Sequence, residues 1–234
     1  MIRQLIGRRR RHILVDINTQ RDFFLARGSM CIRNHRRVMV NVRRIMAWAR
    51  HNNIPVISTC EVYPNNGNGI GTTHYCIDGT EGWKKIRYTM LNNRISFAAD
   101  NDAVLPIDVL RQYRQIIFNK RCIDPFEEPR IERLLSEVQA DRFVLIGACA
   151  EGAVKATALG LLQRGKKVIV VTDALGSIDK KEGKLAIRKM NAKGAKLVET
   201  KKLAGHSHLR SVSICNCPMC QRQTGAAVKI GTEY

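Results

Sequence analysis

Short, continuous apolar runs alternate with longer segments of helical periodicity along most of the chain. Six runs have the composition of buried strands, namely residues 12–16, 54–58, 116–118, 143–146, 168–171 and 196–198. Apolar positions recur with a helical period in residues 35–51, 129–138, 151–164 and 180–192. Strands that are apolar at every position usually lie in a parallel sheet covered on both faces. The pattern therefore predicts an α/β fold with three layers, αβα, and a doubly wound, mainly parallel sheet of about six strands.

This rhythm holds over residues 10–204, which we expect to form one domain. A basic arm, residues 1–9, precedes it, and a Cys/His-rich tail, residues 205–234, follows. No apolar run approaches the ~20 residues that span a bilayer. The first residues are basic but lack the long apolar stretch of a secretory signal. We therefore expect a cytoplasmic protein without a membrane span.

The chain carries 40 Lys and Arg against 20 Asp and Glu, a net charge of +20. An excess of this size attracts polyanions, and we expect salt-sensitive binding to nucleic acid or other polyanions, or an acidic substrate. The alternative is a solvated basic surface that binds nothing in particular. The charge alone leaves both interpretations open.

The cysteines divide into two groups. Five are scattered through apolar segments, and without a signal peptide we expect them to be reduced thiols. The other three, Cys215, Cys217 and Cys220, lie close to His206 and His208. Three thiolates and one of these histidines could form a structural zinc site. The alternative is a tail with free thiols.

Polar residues follow three of the predicted strands. Asp16 ends the first, Lys120 follows the third, and the loop Gly147–Ala153 follows the fourth. The carboxyl ends of parallel strands share one edge of the sheet, where ligands bind. A carboxylate, an ammonium group and a helix N-terminus at this edge predict an acid/base site. Ordinary polar residues at strand ends are the alternative.

Four motifs occur in a characteristic order: HILVDINTQRDF, HYCIDGTEG, FNKRCIDPF and VLIGACAEGAVKATALGLLQRGKKVIVVTDA. Over residues 10–204 this order resembles the isochorismatase-like hydrolase superfamily, which includes isochorismatases, nicotinamidases and other amidases. The resemblance implies that Asp16 and Lys120 are the catalytic aspartate and lysine and that Asp22-Phe23 is the family's Asp-Phe pair. It assigns the family's nucleophilic cysteine to Ala153. It also implies a cis peptide bond before Cys149 and an oxyanion site formed by the N–H groups of Cys149 and Ala153.

Alanine at the nucleophile position excludes the family's covalent thiol chemistry, because a methyl group attacks nothing. Cys149 lies four residues upstream, and we expect its thiol to pack in the core as an inert side chain. The stretch that resembles the Asp-x-His of metal-binding members reads Cys60–Tyr63, and His74 is displaced by one position. We therefore expect no catalytic metal or other cofactor.

Three hypotheses remain. In the first, the protein is a thiol-independent hydrolase of the isochorismatase type. Asp16 protonates the vinyl ether of a small anionic substrate, and Lys120 pairs with the substrate carboxylate and with Asp16. In the second, it is a pseudoenzyme that binds nucleic acid or a protein partner. In the third, it is a Cys→Ala variant of an amidase. The first requires Asp16 and Lys120 to lie within salt-bridge distance, facing the residue 149–153 loop. We also expect a homo-oligomer.

Overall fold

The computed structural model describes residues 10–65, 74–99 and 104–204. Seven strands in these residues form one parallel sheet with the order β3-β4-β2-β1-β5-β6-β7. The strands are β1 Arg10–Ile17, β2 Val56–Glu61, β3 Arg94–Phe97, β4 Gln115–Lys120, β5 Ala140–Gly147, β6 Val168–Leu175 and β7 Lys196–Val198.

Helices cover both faces of the sheet. They are α1 Arg21–Phe24, α2 His35–His51, α3 Val109–Gln112, α4 Pro129–Glu137, α5 Lys155–Gln163, α6 Lys180–Ala192 and α7 Thr200–Ala204. One apolar cluster packs α3, α4, α5 and α6 on one face, and a second packs α2 and α7 on the other. Successive side chains along a strand point alternately into the two clusters. In β1, for example, Val15 and Ile17 belong to the first cluster and Leu14 to the second.

The predicted fold class is confirmed, with one strand more than expected. The sequence pattern missed β3, a four-residue strand at the edge of the sheet whose side chains are largely exposed. Short edge strands lack the continuous apolar run that marks a buried strand. Helix α6 occupies the predicted residues, and α5 begins four residues later than predicted, because a separate turn precedes it.

The strand order places a topological switch at β1. The chain moves from β1 to β2 on one side and later returns to β5 on the other. In open parallel sheets the crevice beyond the carboxyl ends at such a switch is the usual ligand site. Gly147 ends β5 here with φ +121°, and a Cβ on it would lie 1.8 Å from the carbonyl oxygen of Ile17. Only glycine permits this approach of β5 to β1.

The basic arm and the Cys/His-rich tail lie outside the described residues. The zinc site predicted from Cys215, Cys217, Cys220 and His206 or His208 therefore stays a prediction. Among the described helices, none is long and apolar enough to cross a membrane.

Candidate active site

The loop that joins β5 to α5 carries the position of the family nucleophile. The peptide bond between Ala148 and Cys149 is cis, as the resemblance implies. One wide turn follows, Ala150–Val154, in which the N–H of Val154 donates to the carbonyl oxygen of Cys149 at 3.1 Å. The methyl group of Ala153 is 2% exposed and packs in the cluster beneath α4 and α5. No reactive side chain stands at this position.

Cys149 does not replace the missing nucleophile. Its side chain is partly buried and packs against the core cluster on the α2 side of the sheet, so the thiol is packed as predicted but not fully enclosed. Burial raises the pKa of the Cys149 thiol, and the charges of Glu151 and Glu61 raise it further. A nucleophilic cysteine needs the opposite, a lowered pKa that yields the thiolate near neutral pH.

Lys120 lies on the same face of the sheet as Ala153, at the end of β4. Its side chain belongs to the buried set, with the whole residue 1% exposed. The ammonium group lies 3.4 Å from Oε1 of Glu61 and donates to the carbonyl oxygens of Cys122 and Ile123. The lysine is therefore paired with the carboxylate at the end of β2, and its hydrogen bonds hold the turn that leaves β4.

Glu61 is the centre of a buried polar cluster. Its Oε1 accepts a hydrogen bond from the Asn18 amide at 2.6 Å, and its Oε2 accepts one from the Tyr63 hydroxyl at 3.2 Å. Asn18 also accepts a hydrogen bond from Thr59 at 3.2 Å. Asn18 has φ +48°, a left-handed conformation that turns its side chain toward this face. Together with Lys120, these groups form one network of hydrogen bonds and an ion pair.

Asp16 is paired elsewhere, and the predicted contact between Asp16 and Lys120 is wrong. Oδ2 of Asp16 accepts hydrogen bonds from Lys85 at 2.8 Å and from Ser58 at 2.9 Å. Ser58 and Glu61 point to opposite faces of β2, because side chains alternate along a strand. Asp16 therefore lies on the face away from Lys120, where α2 packs. Its second oxygen, Oδ1, is buried and has no partner among the described groups.

The Asp-Phe pair has a structural position. The carboxylate of Asp22 accepts hydrogen bonds from the backbone N–H groups of Ser29 and Cys76, at 3.1 and 2.6 Å. A Cβ on Gly82 would lie 2.2 Å from this carboxylate. Asp22 thus ties two loops to α1 and stands apart from Lys120.

An open cleft lies beside the polar cluster, beyond the ends of β2 and β4. Its volume is about 140 Å³. The side chains around it are Val62, Tyr63, Pro64, Asp78, Trp83, Ala98, Ala99, Asn119 and Arg121. Neither Lys120 nor Ala153 lines it, so this cleft does not expose the predicted catalytic residues.

The Isochorismatase domain model matches residues 12–202 of the chain. The chain belongs to the Isochorismatase family. The N-carbamoylsarcosine amidase of Arthrobacter sp. is 26% identical to it over 139 residues, which are 59% of this chain. The match spans about half the length of that curated relative, 49%.

Several solved structures share the fold of this chain. The MAR1 ribonuclease of Caenorhabditis elegans superposes with a TM-score of 0.53 and 20% identity, over 97% of this chain and 100% of that one. A pyrazinamidase of Pyrococcus horikoshii in complex with zinc gives 0.59 and 20%, over 80% of this chain and 98% of that one. The family and the fold inferred from the sequence motifs are confirmed.

The described residues at the corresponding stretch do not fit a metal of the kind seen in that pyrazinamidase. At the stretch that resembles the family's Asp-x-His, both oxygens of Glu61 are occupied by Asn18, Lys120 and Tyr63. His74 is exposed. Within residues 10–65, 74–99 and 104–204, no group of three His, Cys, Asp or Glu side chains lies close enough to hold an ion.

Sequence reasoning missed three members of the buried polar groups. Glu61 gave one signal, because it is a carboxylate that closely follows the predicted strand 54–58; in the structure it ends β2, in register with Lys120. Asn18 and Lys85 gave no comparable signal. Asn18 reaches the site through its left-handed backbone, and Lys85 enters from a loop without hydrophobic periodicity.

Proposed function

We propose that this member of the Isochorismatase family is an RNA-binding protein whose inherited hydrolytic centre is inactive. The observation that carries the proposal is the closed centre around Lys120. Its ammonium group is paired with Glu61 in a cluster that is almost fully buried, beside an alanine at the nucleophile position. A covalent hydrolase needs a thiolate and a neighbouring base, and neither is available here.

The thiol-free mechanism has less support. An acid that protonates a vinyl ether must reach the substrate, within hydrogen-bond distance of the atom it protonates. Asp16 is 0% exposed, is held by Lys85 and Ser58, and lies on the face of the sheet opposite Lys120. A substrate beside the residue 149–153 loop would meet Lys120 without meeting Asp16.

The excess positive charge supports RNA as the partner. The net charge of +20 favours polyanions, and the planar fork of donors on arginine matches the geometry of backbone phosphates. The fold also occurs in a ribonuclease, the MAR1 protein of Caenorhabditis elegans, over nearly the whole length of both chains. This proposal replaces the small anionic substrate with an anionic polymer.

Two assays on the purified full chain test the proposal. The first is turnover of isochorismate, nicotinamide and small ureides by the wild type and by Ala153→Cys, and we expect none from either protein. The second is fluorescence anisotropy with a labelled 20-nucleotide RNA between 50 and 300 mM salt, with the RNA recovered on a gel to detect cleavage. We expect binding that weakens steeply with salt, because counterion release drives it.

Each assay tests a separate part of the proposal, so one part can be contradicted while the other stands. Turnover of any small substrate that disappears in Lys120→Met would show an active hydrolase and contradict the inactive centre. Absence of RNA binding at 50 mM salt would refute the RNA partner. Cleavage of the RNA would add a nuclease activity to the binding function.

A further inference from the structure

We propose that the exposed face of α2 is the surface that binds the RNA backbone, an inference that rests on the proposed function. Residues 23–60 contain seven arginines and not one Asp, Glu or Lys. Five of the arginines lie in α2 itself. Residues 1–15 and 200–232 also lack acidic residues, but between Asp16 and Glu199 no other stretch of this length is free of them.

The basic residues of α2 recur as doublets. Arg36-Arg37, Arg43-Arg44 and Arg50-His51 follow one another at intervals of seven residues. Seven residues are two helical turns, so the doublets share one face at intervals of about 10.5 Å. The opposite face is apolar and packs on the sheet through Val38, Val42 and Ile45. The result is a straight row of basic side chains about 21 Å long, directed away from the core.

None of these five arginines forms an ion pair with a carboxylate in the described part of the chain. Arginines elsewhere do, for example Arg130 with Glu128 and Arg133 with Glu137. Arginines that no carboxylate of the described residues neutralises are available to an external anion.

Two of the arginines also have contacts that fix them on the surface. The guanidinium of Arg43 lies over the ring of Tyr88, 5.5 Å from its centroid. Arg50 donates to the carbonyl oxygens of Tyr88 and Met90. Holding these side chains lowers the entropy that binding would cost. Arg36 and Arg37 are exposed and carry the charge outward.

Neighbouring elements extend the same surface. The turn Arg87–Thr89 and helix α7 both pack beside α2. They add three exposed cations, Arg87, Lys201 and Lys202. The basic surface therefore continues on both sides of the α2 row, which suits a polymer better than a small anion.

Helix α6 is the natural comparison, because it too is basic and exposed. It offers Lys184 and Lys189 on the other side of the sheet, but it also carries Glu182 and begins at Asp179. Its cations are mainly lysines, which lack the bidentate geometry of arginine toward phosphate. We infer that α6 contributes general charge and that α2 contributes the contacts.

The test compares two double variants of the full chain that lose the same two charges. Arg36→Gln/Arg37→Gln removes the first α2 doublet, and Lys184→Gln/Lys189→Gln is its control on α6. Gln keeps helix propensity, and thermal unfolding of each variant checks the fold. RNA affinity of the α2 variant is expected to fall about 10- to 30-fold at 0.1 M salt, with a salt slope smaller by about 1.4, since two contacts on a single strand are lost. The α6 variant should lose less than about threefold.

A third variant, Arg36→Lys/Arg37→Lys, keeps the charge and removes the bidentate geometry, so it should bind with intermediate affinity. Equal losses in the α2 and α6 variants would overturn the α2 assignment and leave RNA binding itself intact. No binding by the wild type would overturn both. Equal affinity for duplex DNA, with the same dependence on α2, would make the surface a general polyanion site and refute the RNA assignment.

Discussion

Asp16→Asn separates a structural role of Asp16 from a catalytic one. The carboxylate is 0% exposed, and its Oδ2 accepts hydrogen bonds from Lys85 at 2.8 Å and from Ser58 at 2.9 Å. The substitution keeps the shape and one acceptor but removes the charge. The buried ammonium of Lys85 would then keep the hydroxyl of Thr19, at 2.8 Å, and a neutral amide in place of its charged partner.

Breaking a buried ion pair by removing one partner costs about 3–5 kcal/mol, because the other charge stays buried without compensation. This is a large part of the 5–15 kcal/mol that typically separates folded and unfolded states. With a urea m-value of about 2–3 kcal/mol/M, the unfolding midpoint of Asp16→Asn should fall by about 1–2.5 M. Lys85→Met should lose a similar amount. The double variant should lose at least about 2 kcal/mol less than the sum of both, since no buried charge is left unpaired.

Urea denaturation of the four proteins at pH 7, followed by circular dichroism, gives these free energies. Asp78→Asn, a change at an exposed carboxylate, is the matched control and should shift stability by less than about 0.5 kcal/mol. A loss below 1 kcal/mol in Asp16→Asn, or strict additivity in the double variant, would refute the structural role. If such a variant also lost hydrolase turnover, Asp16 would be catalytic.

Two further predictions follow from the same centre. Asn18→Asp replaces a donor that lies 2.6 Å from Oε1 of Glu61 with a second carboxylate. We expect the free energy of unfolding to fall by about 2–5 kcal/mol at pH 7 and by less at pH 4, where one carboxyl is protonated. Equal losses at both pH values would contradict repulsion between the two carboxylates. Burial raises the pKa of the Cys149 thiol, so its thiolate should form only well above the ordinary thiol range. Peptide mass spectrometry after iodoacetamide treatment at pH 8 should therefore find Cys149 labelled far more slowly than in the denatured chain; rapid labelling in the native protein would revive it as a nucleophile.

The sheet was predictable because most of its strands are buried on both faces. Runs such as Phe143–Ile146 have no polar residue that could face water, and this continuity distinguishes them from helices of similar length. Strand β3, Arg94–Phe97, could not be found this way, because an edge strand needs only one buried side chain to stay attached. The start of α5 was predicted too early for another reason. The turn Ala150–Val154 departs from helical geometry at Gly152, and hydrophobic periodicity does not reveal such a departure.

The ion pairs that the buried charged residues form could not be predicted from the sequence. Asp16 and Lys120 both stand at strand ends, and this placement correctly assigns them to one edge of the sheet. Their faces depend on how side chains alternate along β1 and β4 and on how the two strands are aligned in the sheet, which a hydrophobic pattern does not encode. The result is two separate buried pairs, Asp16 with Lys85 and Lys120 with Glu61, where sequence reasoning predicted one.

The presence of the family lysine is therefore weak support for hydrolysis in this chain, because the lysine has a structural task of its own. Lys120 holds the carbonyl oxygens of Cys122 and Ile123 and neutralises Glu61, in a position that is 1% exposed. Removing it would leave the Glu61 carboxylate buried and unpaired, at a cost of about 3–5 kcal/mol. A lysine with this effect on folding is needed whether or not a thiol stands near it. We propose that, with alanine at position 153, the same buried cluster serves as structural support for the basic surface on the other face of the sheet.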